Sequence, residues 1–261
     1  MNKKRLVLAI IMLIPVFTDL VRADFLYAIT MDEEFLSVDP ATGAGRLIGR
    51  LDSSMDAFDL STWGNGIYTY DQKTNRLKQL DPLTAHTLKT IDIGIETTGE
   101  GSLAFRSDGV GFLARSSGSR GILWSFDLAV PNSTMIGDLD FGVDGLDFNA
   151  EGILYGLSQM SYGLYTINPA NAQAKLIGST GLTSRTFLGG LAFSSCGTLY
   201  GVLDDALYTL DPGTGAATLI GPIGYDNVSG LAATCPVPSA ALLCGLGAGI
   251  VDWLSRRKKF L

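Results

Sequence analysis

The chain has 261 residues, of which 46% are hydrophobic and 17% charged, with 32 glycines and a formal net charge of −7. This composition supports a folded core and excludes a disordered or coiled-coil chain. A sequence pI near 4.7 argues against a nucleic-acid partner, because phosphate binding requires a basic face. One histidine and three cysteines exclude a conventional zinc site.

The first 23 residues have the three-part pattern of a secretory signal peptide. Lys3 to Arg5 form a basic start, Leu6 to Phe17 an apolar stretch, and Val21 to Ala23 a cleavage region before Asp24. An uncleaved N-terminal anchor is the alternative, although the apolar stretch is short for a membrane span. We therefore expect an exported protein whose mature chain begins at Asp24.

The body of the chain, residues 24–235, consists of repeats of about forty-two residues. An Asp or Asn turn at a strand end marks each repeat: Val38-Asp39-Pro40, Leu80-Asp81-Pro82, Phe126-Asp127-Leu128, Ile167-Asn168-Pro169 and Leu210-Asp211-Pro212. An apolar pair and an inner apolar triplet recur in phase with this turn. Each repeat also contains four short apolar runs bounded by Gly, Asp, Asn or Pro, which is typical of four antiparallel strands.

Four strands at this period indicate a β-propeller blade, and the length of the body fits five blades. The mature chain starts at a second strand, Phe25 to Ile29, and ends after a lone first strand, Ser229 to Ala233. We predict an all-β, five-bladed β-propeller with four-stranded antiparallel blades. The C-terminal strand pairs with the N-terminal blade, which leaves no open seam in the ring. An open β-solenoid is the alternative.

These repeats resemble the Leu-Tyr…Asp-Pro…Thr-Gly…Ile-Gly propeller modules of exported bacterial proteins. The resemblance spans nearly all of residues 24–235 and implies a fold without implying an activity.

Acidic residues dominate the body, which has 24 acidic and 11 basic residues and a net charge of −13. In a propeller, the loops from strand four to the next blade share one face with the loops between strands two and three. We take Asp56, Glu100, Asp144 and Asp205 on this face as candidate ligand-binding residues. Asp56, Glu100 and Asp144 are also candidate Ca²⁺ ligands, since calcium prefers oxygen. The alternative is that these are solvated turn residues.

Two carboxylates fall within the inner apolar triplets, Asp59 in blade 2 and Asp147 in blade 4. They take the same place in the triplet, where the other blades have Ala104, Ala192 and Ala232. Inner strands line the channel, so two such groups could act as acid and base of a glycosidase. The alternative is that each Asp accepts hydrogen bonds from neighbouring backbone amides and stabilises its blade.

The cysteines permit one structural hypothesis. Cys196 follows the first strand of blade 5, and Cys235 follows the first strand of the closing blade. These strand ends are neighbours in the ring, and an exported protein can keep a disulfide. We therefore consider a Cys196–Cys235 bridge, subject to the narrow range of allowed Cα separations.

The C-terminal 26 residues form a separate segment. Pro236 and Pro238 precede the apolar run Ala240 to Val251, and a basic cluster containing Arg256 and Arg257 follows. This layout resembles the PEP-CTERM sorting tail of Gram-negative bacteria, which implies processing by an exosortase. Ser239 departs from the family, which most often has Glu there. An ordinary short membrane anchor is the alternative.

Together these features predict an exported, non-catalytic binding or scaffold module at the cell surface or in the extracellular matrix. Its partners would be an exosortase-like sorting enzyme and an extracellular polysaccharide or an envelope protein, with transient membrane anchoring through the tail. No cofactor is expected beyond the calcium alternative. A carbohydrate-active enzyme using Asp59 and Asp147 and a purely structural matrix protein are the alternatives.

Overall fold

The computed structural model describes residues 25–52, 55–96, 100–117, 120–130, 132–158, 160–182 and 189–234. In these ranges twenty strands form five four-stranded antiparallel sheets. The first strands of the sheets are neighbours of one another around a ring. The predicted five-bladed propeller is confirmed. Among these residues we find no helix of the length and apolarity needed to span a membrane.

The strands follow the chain from blade to blade. Blade 1 contains β1 (Phe25–Thr30), β2 (Glu34–Val38) and β3 (Gly45–Arg50), and blade 2 contains β4 (Ala57–Trp63), β5 (Gly66–Asp71), β6 (Arg76–Leu80) and β7 (Thr87–Ile91). Blade 3 contains β8 (Glu100–Phe105), β9 (Gly111–Ser117), β10 (Arg120–Phe126) and β11 (Ser133–Leu139). Blade 4 contains β12 (Gly145–Phe148), β13 (Leu154–Ser158), β14 (Gly163–Ile167) and β15 (Ala174–Ser179). Blade 5 contains β16 (Gly189–Phe193), β17 (Leu199–Leu203), β18 (Ala206–Leu210) and β19 (Ala217–Pro222), and β20 (Val228–Thr234) returns to blade 1.

The ring closes through β20, which is the inner strand of blade 1. It pairs antiparallel with β1 from Phe25 opposite Thr234 to Thr30 opposite Val228. The sheet of blade 1 therefore combines one strand from the end of the body with three from its beginning. The predicted closure is confirmed, and it joins the beginning and the end of the body within one sheet.

The hydrophobic core is divided among the five interfaces between blades. One cluster joins blades 1 and 2 through residues such as Phe35 and Leu60, and another joins blades 3 and 4 through Phe112 and Leu146. Corresponding clusters lie at the 2–3, 4–5 and 5–1 interfaces. Each blade thus buries both of its faces against neighbours, which explains why its inner three strands are rich in apolar residues.

The Asp or Asn turns that mark the repeats share one geometry. In each blade, the carboxylate or amide oxygen accepts a hydrogen bond from the backbone N–H two residues later, at Ala41, Leu83, Ala129, Ala170 and Gly213. This local bond fixes the turn between strands three and four. It also holds the pKa of Asp39 and Asp211 below the usual value.

The same turns contact the preceding blade at a glycine of its outer strand. Gly215 of blade 5 lies against Gly178 of blade 4, and a Cβ on Gly178 would come within 2.1 Å of the Thr214 carbonyl oxygen. Similar approaches join Gly43 to Gly221, Ala85 to Gly49 and Ala172 to Gly137. The Asp-Pro turn and the Ile-Gly pair of the repeat are therefore the two sides of one contact between blades.

The loops form two faces, which we call upper and lower. The upper face combines the loops after strand four with those between strands two and three. Hydrogen bonds join the two kinds of loop: the Leu51 N–H donates to the Glu33 carbonyl oxygen at 2.7 Å, and the Gln72 N–H donates to the Asp56 carbonyl oxygen at 3.0 Å. The lower face carries the Asp or Asn turns and the first and last described residues, Phe25 and Thr234. The predicted signal peptide and sorting tail, with Pro236, Pro238, Arg256 and Arg257, lie outside the described residues.

Candidate functional site

The upper face has an excess of negative charge. Its exposed acidic side chains come from several blades: Asp32, Asp52, Glu96, Asp140, Asp204 and Asp226. Fewer exposed basic residues lie among the described residues of this face. Lys73 and Arg120 are exposed, and the guanidinium of Arg50 lies 2.9 Å from the Glu34 carboxylate. The face would therefore attract a cationic partner.

Two of the predicted ligand-binding residues form hydrogen bonds within the protein. The Asp56 carboxylate accepts a bond from the Gln72 side-chain amide at 2.7 Å. The Asp205 carboxylate accepts the Val228 N–H at 2.8 Å, and its carbonyl accepts the Ile223 N–H at 2.9 Å. Asp205 thereby fixes the start of β20, so both side chains are partly committed to holding upper-face loops in place.

The other two predicted ligand-binding residues lie at the start of inner strands. The Asp144 N–H donates to the Leu157 carbonyl oxygen at 2.9 Å. Glu100 begins β8 opposite Ser116, and its side chain lies outside the described part of the structure. Within the described ranges, no three His, Cys, Asp or Glu side chains form a group that could hold a metal ion. The calcium hypothesis, which includes Glu100, stays a prediction.

Beneath the upper face, blades 2 and 3 contain buried charges that the sequence patterns did not indicate. Asp71 is 1% exposed and accepts hydrogen bonds from the backbone of Asp56 and Lys73. Arg115 is 4% exposed, and its guanidinium lies 5.4 Å from the ring centre of Tyr70. Asp71 and Arg115 occupy the same aligned position of the second strand, where other blades have Thr30, Ser158 and Leu203. Aligning the second strands of the repeats would have found this position.

The Asp59 carboxylate connects inner strands of different blades. Its Oδ1 accepts the N–H of Leu60 at 2.8 Å, and its Oδ2 accepts the N–H of Leu103 in blade 3 at 3.0 Å. The side chain is 1% exposed. Burial raises the pKa of Asp59 well above its usual value, and the hydrogen bonds from Leu103, Leu60 and Leu231 oppose this rise.

The Asp147 carboxylate has a similar arrangement between blades 4 and 5. Its Oδ1 accepts the N–H of Phe148 at 2.8 Å, and its Oδ2 accepts the N–H of Phe193 at 2.6 Å. Asp147 keeps some exposed surface, yet burial raises its pKa to about 7 against the effect of these two amides. Both carboxylates thus have the backbone contacts that the structural alternative to catalysis predicts.

Asp59 and Asp147 do not take equivalent positions, contrary to the expectation from the triplets. Asp147 pairs opposite Tyr155, and the residue opposite the corresponding Tyr68 is Ser61. Leu60 pairs opposite Thr69 as Leu146 pairs opposite Gly156, so Leu60 is the residue that matches Leu146. Asp59 therefore corresponds to Gly145, Gly190 and Gly230 of the other blades. The two carboxylates differ by two strand residues, or about 7 Å along the strand direction.

Cys196 lies on the lower face and is exposed. Cys235, its predicted partner, lies outside the described residues. The predicted bridge between them therefore stays a prediction.

Comparison with known proteins gives a fold without a family. No family model matches the chain, and no curated protein matches it. Among solved structures, a chain in the "Crystal structure of Nidogen/Laminin Complex" matches with a TM-score of 0.54 and 10% sequence identity. The match covers 80% of this chain and 97% of that chain. At this identity the similarity shows the propeller fold alone.

Proposed function

We propose that this protein is an exported, non-catalytic propeller that binds a positively charged protein partner at the cell surface or in the extracellular matrix. The observation that carries the proposal is the excess of exposed carboxylates on the upper face. Asp140 and Asp226 on loops between blades present such charges to solvent. Surface charge of one sign attracts a partner of the opposite sign and discriminates against anionic ones.

The structural neighbour supports a protein as the partner. The matching chain was solved in a nidogen/laminin complex, so a propeller of this architecture occurs in a protein–protein assembly. An extracellular polysaccharide, bound with or without calcium, is the competing partner.

The predicted export and sorting are part of this proposal and are supported by the sequence pattern of the two ends. A signal peptide would deliver the chain across the inner membrane. The tail would then hold it for an exosortase. The propeller would act after this sorting step, as a binding module outside the cell.

The hydrogen bonds of the channel carboxylates support a role without catalysis. Each oxygen of Asp147 accepts a backbone N–H, and so does each oxygen of Asp59. A glycosidase would require these carboxylates to exchange protons with a substrate and with water. In our proposal they instead fix inner strands.

The test measures binding to the cell envelope with matched charge variants. Purified full-length protein is titrated with envelope protein and with exopolysaccharide from the source cells, with calcium and then with a chelator. Asp140→Asn and Asp226→Asn remove upper-face charges, and Glu151→Gln removes an exposed charge from the lower face as a control. Released reducing ends are measured in the same tubes.

We expect the wild-type protein to bind the protein fraction saturably and in a salt-sensitive manner. The upper-face double variant should bind roughly threefold to tenfold more weakly, and the control variant should bind as the wild type does. Equal binding by both variants would reject the upper face. Preference for polysaccharide would reject the protein partner, and new reducing ends would reject the non-catalytic role.

A further inference from the structure

The channel carboxylates have a property that goes beyond the proposed binding function. Both oxygens of the Asp147 side chain accept backbone N–H groups, one from its own blade and one from blade 5. Inner strands are sheet edges, so the N–H groups that face the channel have no strand partner. Asp147 supplies the acceptor that a further strand would otherwise provide.

We propose that Asp147 is a protonation-dependent contact between blades 4 and 5, which binds both amides when ionised and releases one of them when protonated. The contact lies at the inner edge of the ring, where β12 meets β16. Corresponding positions in blades 3, 5 and 1 carry Ala104, Ala192 and Ala232, which have no such group. The effect is therefore local to one junction.

The chemistry of the carboxyl group explains the release. An ionised carboxylate has acceptors alone, and it matches two N–H donors without conflict. A protonated carboxyl group carries a hydrogen on one oxygen. That hydrogen faces an N–H donor, so the carboxyl must turn or shift, and one of the bonds to Phe148 and Phe193 weakens.

The surroundings of Asp147 set the pH range of this change. The nearest acid along the chain is Asp144, which immediately precedes β12, and Tyr155 lies opposite Asp147 on β13. The facing residues of β16, Ala192 and Phe193, carry no charge. Across the channel, Asp59 on β4 interacts electrically with Asp147, and this repulsion further raises the pKa of Asp59.

The balance between burial and hydrogen bonding supports titration in the neutral range. Burial in the protein raises the pKa of Asp147 to about 7, while the amides of Phe193 and Phe148 favour the ionised form. The two channel carboxylates also influence each other, so their protonation is linked. Removing the Asp147 charge is expected to make Asp59 easier to ionise.

The test follows individual amides by nuclear magnetic resonance in the isotope-labelled full-length chain, held in neutral detergent, between about pH 5 and pH 9. We expect the Phe193 and Phe148 amide shifts to change together with a midpoint near 7. In Asp147→Asn this change should disappear. In that variant the Leu103 amide, which reports on Asp59, should titrate at lower pH than in the wild type.

Glu151→Gln is the matched control, because it removes an exposed carboxylate from the loop after β12 without removing either amide bond of Asp147. It should keep the Phe193 midpoint. The proposal is overturned if the wild-type Phe193 amide shows no titration in this range, a result that needs no variant to fold. It is equally overturned if Asp147→Asn titrates like the wild type.

Discussion

Two parts of the ring solve the same packing problem with different chemistry. At the junctions of blades 4–5, 5–1 and 1–2, the inner strands approach each other at Gly145, Gly190 and Gly230, respectively. A Cβ at any of these glycines would come within 2.4 to 2.7 Å of the backbone of the next blade. At the next two junctions a side chain replaces the glycine. Asp59 reaches the Leu103 N–H in blade 3, and Ser102 donates to the Val143 carbonyl oxygen before blade 4.

The outer edge shows the same contrast at the junction of blades 2 and 3. Four junctions have a turn packed on a glycine of the outer strand, but blade 2 has Asp92 where that glycine is expected. There the Ser133 hydroxyl donates to the Gly94 carbonyl oxygen at 2.9 Å. Where the repeat is kept, backbone packing joins the blades; where the repeat is lost, polar side chains join them. The second solution introduces buried polar groups that must stay hydrogen-bonded.

The largest expected effect comes from disturbing the glycine junctions. In Gly190→Ala, the new Cβ would come within 2.4 Å of the Leu231 backbone nitrogen, so two inner strands must separate. We expect a loss of about 2 to 4 kcal/mol in unfolding free energy, measured by urea denaturation. Gly213→Ala is the control, since its Cβ would lie 3.3 Å from the Asp211 side chain. Equal losses in the two variants would contradict the role of close strand approach.

The polar junction should be sensitive to loss of its acceptor. Asp59→Ala leaves the buried amides of Leu60 and Leu103 without the carboxylate, and we expect a loss of about 1 to 3 kcal/mol at neutral pH. Denaturation by urea measures this as well. Asp108→Ala, which removes an exposed partner of Arg106, should leave the urea midpoint almost unchanged, because exposed ion pairs contribute little to stability. An Asp59 variant as stable as the wild type would show that Asp59 does not stabilise the junction.

The pH dependence of stability tests Asp147, a carboxylate that lies at the glycine junction of blades 4 and 5. The pKa of Asp147 is about 7 in the folded protein against 3.8 as its ordinary value, so the folded state binds more protons between these limits. Stability contributed by this group is therefore fully present below about pH 4 and declines as pH rises to about 7. Because Asp147 keeps some solvent contact, we expect a change on the order of 1 kcal/mol. Urea midpoints at two pH values should differ less in Asp147→Asn, and an unchanged difference would count against the assignment.

The smallest effect concerns the outer contact between blades 2 and 3. Ser133→Ala removes one partly exposed hydrogen bond to Gly94, which corresponds to about 0.5 to 1 kcal/mol. Hydrogen–deuterium exchange of the variant and the wild type should show faster amide exchange in blades 2 and 3 alone. Faster exchange throughout the ring would mean that this contact is coupled to the whole propeller.

The sequence was sufficient to predict the ring and its closure because both depend on periodicity. A repeat length, the phase of the first and last strands and the Asp turns are all visible as one-dimensional patterns. The candidate site was less accessible. Asp56 and Asp205 form hydrogen bonds within the protein. These bonds depend on contacts between loops, which a local sequence pattern does not predict.

The positions of Asp59 and Asp147 show where periodicity fails. The pairing of β4 with β5 places Asp59 at the glycine position of the repeat, two residues earlier than the triplets suggest, and a short apolar triplet does not reveal such an offset. Buried charge is equally hidden from composition. Asp71 and Arg115 resemble surface residues in the sequence, and the structure places them at 1% and 4% exposure.

The pairing of Phe25 with Thr234 has a mechanical consequence. Strands β1 and β20 are antiparallel neighbours, and Phe25 and Thr234 form the first pair of their ladder. Opposed forces on these two residues would therefore break the hydrogen bonds of the ladder one after another, as in unzipping. A pull of this kind detaches β20 while the other four blades keep all four strands. The detached strand and the freed edge of β1 could then pair with those of a second molecule, which is the route to domain-swapped assemblies.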